Sequence, residues 1–257
     1  MIQLEQRIFA FDRLGDFLRN INPEDPTYDR LFETIKHAKS KNGWFSKENV
    51  LHAFAAWGQL LNKKDLTQWL LPYSFDHTAP KTVGLVLAGN IPLVGFHDVL
   101  SVLLSGNKAL VKCSSSDPLL IAFLIQKLEE FEPRFTSFVE FTKERFTDFD
   151  AVIATGSNNA SRYFEYYFSK VPNLIRSNRN GVAILDGNET QEELQALASD
   201  IVQYFGLGCR STSKIFVPKD YDLNLIFGAL YPYASLTDSA KYANNYDYNK
   251  AVYLMSL

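Results

Sequence analysis

Cysteine is scarce in this sequence, which contains two in 257 residues. Two cysteines do not form a disulfide framework in a chain of this length, and no signal peptide is recognisable, so we expect a reducing, cytoplasmic environment. Long apolar runs are also absent, because even the apolar stretch 91–104 contains His97 and Asp98. The sequence therefore predicts neither a disulfide scaffold nor a membrane span.

A strong excess of one charge is missing as well. Lysine and arginine total 26, and aspartate and glutamate total 29, which gives a formal net charge of −3. This balance offers no electrostatic support for binding nucleic acid or an anionic membrane, so we expect neither as a partner. With 46% hydrophobic and 21% charged residues, the chain has the composition of a globular protein with a sizeable core.

Residues 1–80 predict a helical N-terminal region that packs on the next domain. Apolar residues recur at helical spacing from Ile8 onward and are interrupted by the prolines of segment 23–26. A second helix is predicted over 28–38, and Ser46 predicts the start of a third.

From Lys81 the pattern changes to alternating strands and helices, which predicts a Rossmann-like domain over residues 81–185. Short apolar runs are typical of strands buried on both faces, and Asp117-Pro118 is typical of a helix cap. The predicted strands are 83–88, 108–112, 138–141, 151–155 and 182–185, and the predicted helices are 93–105, one after Pro118, and 161–168. This order calls for an α/β fold with an open, mostly parallel sheet and helices on both sides.

Residues 186–257 predict the start of a further domain. Thr190 and Glu193 form a capping-box pattern ahead of a helix predicted over 194–205, and 214–217 is typical of a strand. The last seven residues are an apolar run without a polar tail. We interpret this ending as a truncated chain or as a strand that pairs elsewhere.

Cys209 lies between this predicted helix and strand, in the segment Gly-Leu-Gly-Cys-Arg-Ser-Thr. A thiol on such a bend is accessible to a substrate and can act as a nucleophile. The alternative is a small, buried hydrophobic residue, which is the usual role of a lone cysteine.

A second motif, Ala-Gly-Asn-Ile-Pro at 88–92, follows the first predicted strand. We expect it at the carboxyl edge of the sheet, where α/β folds bind ligands. Gly89 allows a tight bend, and Pro92 suits the first turn of a helix. Asn90 either donates to a developing oxyanion or caps that helix.

Two further motifs follow the next strands. Lys112 ends a buried strand, so a ligand hydroxyl or phosphate is a reasonable partner, whereas Cys113 beside it is expected to pack. Gly156 and Ser157 precede a helix, and free N–H groups at that position predict a phosphate site. Neither Gly-x-Gly-x-x-Gly nor a P-loop is present.

In this order the motifs resemble the aldehyde dehydrogenase superfamily: Gly-Asn-x-Pro, Val-Lys, Thr-Gly-Ser, and a cysteine after glycine and before a strand. The resemblance is closest to its acyl-CoA reductase branch, the LuxC-like fatty acid reductases. It rests there on Asn-Ile-Pro-Leu (90–93), Ser-Asn-Arg-Asn (177–180) and Cys-Arg-Ser (209–211). It covers residues 81–218 and implies an aldehyde dehydrogenase type of sheet with a partial catalytic domain at the C-terminus.

The resemblance implies a role for each motif. Cys209 would take the acyl group as a thioester, and Asn90 with the backbone N–H of Cys209 would hold the oxyanion. Lys112 would contact the adenosine ribose of a nicotinamide cofactor, and Gly156 with Ser157 would lie against its pyrophosphate. No metal is implied.

The expected cofactor is NADPH, with NADH as the alternative. Many members that prefer NAD carry a glutamate three residues after the lysine, and this chain has Ser115 there. Without that carboxylate, a 2′-phosphate is not repelled.

Two departures from the superfamily bear on the reaction. Hydrolytic members carry a glutamate base before the cysteine, but the matching stretch 173–180 contains no carboxylate, which favours reduction of the thioester over its hydrolysis. The proton donor stays open, with His97 as a candidate. The superfamily fold also continues well past the cysteine and includes an oligomerisation segment. Whether this chain is active alone, and whether it forms a homo-oligomer, therefore stay open.

The predicted function is reduction of an acyl thioester, acyl-CoA or protein-bound, to an aldehyde through a Cys209 acyl-enzyme. One alternative is an acyl-phosphate reductase, which shares the thioester but has a phosphate leaving group. The other is a non-catalytic, truncated relative that keeps the fold and binds the cofactor.

Overall fold

Four α-helices form the N-terminal part of a computed structural model that describes residues 2–75 and 79–256. Among these residues they are α1 (Leu4–Arg19), α2 (Asp29–Lys41), α3 (Lys47–Leu60) and α4 (Lys63–Leu70). The hydroxyl of Ser46 accepts a hydrogen bond from the N–H of Asn49, which confirms the predicted start of α3. The apolar face of α1, with Phe11 and Leu14 fully buried, packs on α3.

The close approach of α1 to the end of α3 depends on Gly15. A Cβ at this position would overlap the carbonyl oxygen of Leu61 and lie 2.9 Å from the Arg19 guanidinium. That guanidinium donates to the carbonyls of Gly58 and Leu61, so the crossing is both tightly packed and hydrogen-bonded.

We expect Gly15→Ala to lower the free energy of unfolding by about 1–3 kcal/mol, because the backbone of Leu61 must move away. Urea unfolding followed by tryptophan fluorescence measures this change, since Trp44, Trp57 and Trp69 all lie in or beside the four helices. Gly228→Ala is the matched control, because a Cβ there meets no atom within 4 Å. An unchanged midpoint for Gly15→Ala would contradict the packing described.

A five-stranded sheet follows the four helices. Its strands are β1 (Thr82–Val86), β2 (Lys108–Lys112), β3 (Val139–Phe141), β4 (Ala151–Thr155) and β5 (Asn173–Arg176). They lie in the order β3-β2-β1-β4-β5, and every neighbouring pair is parallel. The helices α5 (Phe96–Leu104), α6 (Leu120–Phe131) and α7 (Asn158–Tyr167) connect them. The predicted α/β fold with an open parallel sheet is confirmed.

Contacts divide the chain into two compact units, Met1–Asn178 and Arg179–Leu257. The four helices and the five-stranded sheet belong to the first unit, in which α1 packs on α5 and α6. The division into 1–80, 81–185 and 186–257 stays a prediction.

The second unit contains a parallel strand pair, β6 (Gly181–Ile184) and β7 (Thr212–Phe216). Its helices are α8 (Gln191–Val202), α9 (Asn224–Leu230) and α10 (Ala240–Met255). The capping box of Thr190 and Glu193 is present at the start of α8, as predicted. Leu194 and Ala198 of α8 pack against Ile226 and Ala229 of α9 to form a small core.

One prediction and one alternative for this unit are wrong. The alternative of a strand in the apolar C-terminal run fails because residues 251–255 belong to α10, whose 16 residues contain neither glycine nor proline and include several good helix formers. The predicted helix 194–205 ends earlier, at Val202, because Tyr204 and Phe205 adopt left-handed φ values of 54° and 59°.

Candidate active site

Three segments meet at the carboxyl edge of the five-stranded sheet. Asn90 follows β1, Lys112 ends β2, and Gly156 follows β4. β1 lies between β2 and β4, with Val86 in register with both Lys112 and Ala154. The chain order reverses between β1 and β4, and such a switch point is where open α/β sheets bind ligands.

The segment with Asn90 is an irregular loop rather than the start of a helix. α5 begins only at Phe96, with Gly95 at its N-cap, so Asn90 does not cap it and the predicted helix 93–105 starts too early. Leu93 has a φ of 60°, which explains the late start. The Asn90 side chain is exposed at this edge.

Close packing holds this loop against the loop that follows β2. A Cβ on Gly89 would lie 2.5 Å from the Cβ of Ser114, so only glycine fits between the two loops. The backbone N–H of Leu93 donates to the carboxylate of Asp117, 3.1 Å away. The other oxygen of Asp117 accepts from the N–H of Leu120, the first residue of α6, at 3.3 Å, although the N-cap residue of this helix is Leu119.

Burial raises the pKa of Asp117 to about 6, although the two backbone hydrogen bonds act in the opposite direction. The ordinary value is 3.8, so protonation of this carboxyl stabilises the fold. That contribution is fully present below about pH 4 and is lost as the pH rises through about 6. At neutral pH this carboxyl is ionised, and its burial therefore lowers the free energy of unfolding by about 3 kcal/mol.

Lys112 is half-buried, and its ammonium donates to the backbone carbonyl of Glu144 at 3.2 Å. Ser115, three residues further on, is exposed. Burial, with a smaller contribution from Asp117, raises the pKa of the Cys113 thiol to about 12. This thiol stays protonated at neutral pH and is poorly suited to act as a nucleophile.

Gly156 and Ser157 both have structural partners. The N–H of Gly156 donates to the carbonyl of Arg176 at 3.1 Å and so extends the pairing of β4 with β5, which means that the prediction of a free N–H there is wrong. The hydroxyl of Ser157 accepts from the N–H of Ala160 and caps α7. A Cβ on Gly156 would lie 2.9 Å from both Ala160 and Phe164, so helix packing by itself requires glycine here.

An ion pair at the same edge was missed by the sequence analysis. Arg176, at the end of β5, contacts the carboxylate of Asp98 on α5 at 2.7 Å. Asp98 is only 4% exposed. Burial alone would raise its pKa, but the interactions with His97 and Arg176 outweigh this and lower it. The sequence contained a signal for this pair, because an aspartate among the mainly apolar residues of α5 is expected to have a buried partner.

Arg176 belongs to the stretch 173–180, which lacks a carboxylate, and its guanidinium lies at the carboxyl edge of the sheet. His97, the candidate proton donor, is exposed at the start of α5, where its ring lies 5.9 Å from that of Trp69. Its Nδ1 lies 3.9 Å from the carboxylate of Asp98, which is too far for a hydrogen bond, and its role as proton donor stays a prediction.

Cys209 lies in the second unit, in the turn between α8 and β7. Tyr204, Phe205 and Gly206 all have positive φ values and turn the chain away from α8. The N–H of Ser211 donates to the carbonyl of Gly208 at 3.0 Å and closes a tight turn around the cysteine. The thiol is exposed, so the alternative of a small buried residue is wrong for Cys209.

Within residues 2–75 and 79–256, no three histidine, cysteine or acidic side chains are grouped as metal ligands would be. Over the same residues, no helix combines the length and apolar character needed to cross a membrane.

The fold is that of the aldehyde dehydrogenases. KauB from Pseudomonas aeruginosa superposes with a TM-score of 0.62 at 15% identity, over 89% of this chain and 50% of that protein. A mutant of aldehyde dehydrogenase C from Pseudomonas syringae, solved with NAD+ and octanal, gives 0.63 at 13% identity, over 88% and 49%. At these identities the likeness defines the class of fold.

The family is defined by the sequence itself. The family model for acyl-CoA reductase (LuxC) matches residues 26–226, and the chain therefore belongs to this family. A long-chain acyl-protein thioester reductase from Vibrio harveyi is 26% identical over 150 residues, which are 52% of this chain and 31% of that protein. The chain thus spans about a third of that relative and about half of the aldehyde dehydrogenases. The resemblance inferred from the motifs is confirmed.

Proposed function

We propose that this chain takes part in the reduction of an acyl thioester to an aldehyde by a nicotinamide cofactor, through a thioester on Cys209. The observation that carries the proposal is an exposed thiol in a tight turn before β7, in a member of the acyl-CoA reductase family. The relative from Vibrio harveyi is named for an acyl-protein thioester, so both acyl-CoA and a protein-bound acyl group are substrates to test.

In the first step the sulfur of Cys209 attacks the carbonyl carbon of the substrate. A new carbon–sulfur bond forms, the bond to the substrate's thiol breaks, and that thiol leaves with a proton. Asn90 would donate a hydrogen bond from its amide to the oxyanion that develops on the carbonyl oxygen. The acyl group is then held by Cys209 as a thioester.

The cofactor, when bound, supplies the hydride that reduces this thioester. The carbon–sulfur bond to Cys209 then breaks, the aldehyde leaves, and the cysteine is regenerated. Arg176, paired with Asp98, lies in the stretch where hydrolytic members of the superfamily carry a carboxylate base. Because a guanidinium does not act as a base, it would not activate water against the thioester.

The residues at the carboxyl edge fit a nicotinamide cofactor. Lys112 is a half-buried cation at the end of β2 and would bind ribose hydroxyls, and Ser157 caps the helix whose N-terminus would face the pyrophosphate. The N–H of Gly156 is already bonded, so its role would be to allow close packing of α7 rather than to donate to phosphate.

We expect Ser115→Glu to weaken NADPH binding by at least about tenfold while NADH binding changes by less than about threefold, because the new carboxylate repels a 2′-phosphate. Titration of cofactor fluorescence measures both dissociation constants. Ser116→Glu is the matched control, since it adds the same charge one residue further along this exposed loop. Equal weakening of both cofactors by Ser115→Glu would contradict the proposed NADPH preference.

The proposed function is tested on the unmodified chain with octanoyl-CoA, octanoyl phosphate and NADPH. Intact-mass measurement should detect one octanoyl adduct from octanoyl-CoA, and NADPH absorbance should fall when the cofactor is added. A faster reaction with octanoyl phosphate would replace the proposal with an acyl-phosphate reductase. If neither substrate forms an adduct, the chain is a cofactor-binding relative without acyl transfer.

A further inference from the structure

Asp117 joins the two loops that form the carboxyl edge beside β1. Its side chain is almost fully buried, with the residue 2% exposed. One carboxylate oxygen accepts from the N–H of Leu93 in the loop that contains Asn90. The other accepts from the N–H of Leu120 at the start of α6. A single carboxylate thus connects a loop after β1 to a helix after β2.

A helix cap alone does not require this residue. Ser46, Ser157 and Thr190 cap other helices of this chain with a neutral hydroxyl. A neutral cap avoids the desolvation that raises the pKa of Asp117 to about 6. Asparagine would also cap α6, but its NH₂ group would then face the N–H of Leu93, and two donors do not bond. With one oxygen facing each amide, the carboxylate accepts from both.

Leu93, whose N–H donates one of these two bonds, has an unfavourable backbone conformation. Leu93 has a φ of 60°, which a residue with a branched side chain rarely adopts without support. Its side chain is buried, and Gly89 packs against Ser114 at the other end of the loop. The bond from Leu93 to Asp117 holds the end of this five-residue loop, and Asn90 lies within it.

We propose that Asp117 is a positioning residue for acyl transfer, whose ionised carboxylate holds the 89–93 loop so that the amide of Asn90 is preorganised to bind the oxyanion. This inference rests on the proposed function, because it assigns Asn90 to that step. Among the described residues, the titratable group linked electrostatically to Asp117 is the thiol of Cys113, which is neutral at the pH values considered. The carboxylate oxygens accept from the backbone amides of Leu93 and Leu120.

Amide hydrogen exchange tests whether Asp117 holds the loop. In Asp117→Asn we expect exchange at Leu93 to become at least about tenfold faster, because a charge-assisted hydrogen bond is lost. Asp117→Ser is the second variant, since a serine hydroxyl can still cap α6 but provides no second acceptor for Leu93. Asp150→Asn is the matched control, because Asp150 also accepts a backbone N–H, that of Thr82 at 2.8 Å, but at the opposite edge of the sheet.

Acylation kinetics test whether the position of the 89–93 loop affects the acylation of Cys209. We expect Asp117→Asn to slow acylation of Cys209 by about 10- to 100-fold without changing the dissociation constant of NADPH, because only the oxyanion donor is displaced. The ratio of wild-type to Asp117→Asn acylation rates should fall toward one as the pH drops through about 6, since the protonated wild-type carboxyl also loses one acceptor. Asp150→Asn should match the wild type in both measurements.

Four outcomes would overturn the inference in whole or in part. Unchanged exchange at Leu93 in both Asp117 variants would show that the carboxylate does not hold the loop. Faster exchange with wild-type acylation, or a rate ratio independent of pH, would reduce Asp117 to a structural residue. A wild-type chain that is never acylated would overturn the proposed function and the catalytic part of this inference, whereas the exchange at Leu93 would still decide whether Asp117 holds the loop.

Discussion

Cys209→Ala is expected to abolish formation of the acyl adduct. The side chain at this position is the exposed thiol of the turn before β7, and alanine removes the sulfur proposed to form the thioester. Intact mass after incubation with octanoyl-CoA should show the unmodified chain for the variant and one added octanoyl group for the wild type. The effect is all-or-none, because no neighbouring hydroxyl has the nucleophilicity of a thiol at neutral pH.

The second cysteine of the chain provides the matched control. Cys113 is half-buried after β2, and its pKa of about 12 leaves almost no thiolate at neutral pH. Cys113→Ala should therefore form the adduct at the wild-type rate. An adduct that survives Cys209→Ala and disappears in Cys113→Ala would place the acyl group on the wrong cysteine and refute the proposed mechanism.

Asn90→Ala is expected to slow acylation of Cys209 by about 100- to 1,000-fold, which is the usual effect of removing one oxyanion donor. The glycine and proline of the motif are unchanged, so the loop should keep its bend. The dissociation constant of NADPH should stay constant, because Asn90 has no proposed contact with the cofactor. Quenched-flow acylation followed by mass spectrometry measures the rate.

Two variants separate this effect from a loss of stability. Asn90→Asp keeps the shape but replaces the donor by a carboxylate, and it should be at least as slow as Asn90→Ala because like charges repel in the transition state. Asn107→Ala removes an asparagine at the opposite edge of the sheet, where its amide oxygen accepts from the N–H of Lys81 at 2.9 Å. Asn107→Ala should acylate like the wild type, and equal slowing by both alanine variants would argue against an oxyanion role.

The sheet was predictable from the sequence because its strands are short apolar runs between clear breaks. The bounds of β2 and β4 agree residue for residue with the prediction, and both strands are buried in the middle of the sheet. β5 was not predicted as a strand, because Asn173-Leu-Ile-Arg is short, partly polar and half exposed at the sheet edge. This edge strand shows neither a continuous apolar run nor a clear alternation of apolar and polar residues. It is recognised by its pairing with β4 rather than by its composition.

Sequence patterns also predicted the wrong helix bounds where tertiary contacts determine the backbone conformation. The left-handed conformations of Leu93, Tyr204 and Phe205 delay the start of α5 and end α8 early. Each of these residues favours helix or strand by itself, so its conformation depends on distant partners such as the carboxylate of Asp117. Arg176 and Asp98 are 78 positions apart, so their pairing likewise cannot be predicted from the sequence around either residue.

The sequence by itself determined the α/β class, the order of the motifs along the chain and the family to which the chain belongs. These properties follow from apolar periodicity and from residue types at fixed spacing, which are local. Only the tertiary structure decided that the Gly156 amide is already bonded, that Cys209 is exposed while the half-buried Cys113 has a raised pKa, and that the buried carboxylate of Asp117 accepts from the N–H of Leu93. Burial and hydrogen bonding between distant segments set these properties, and neither is encoded in any single stretch of sequence.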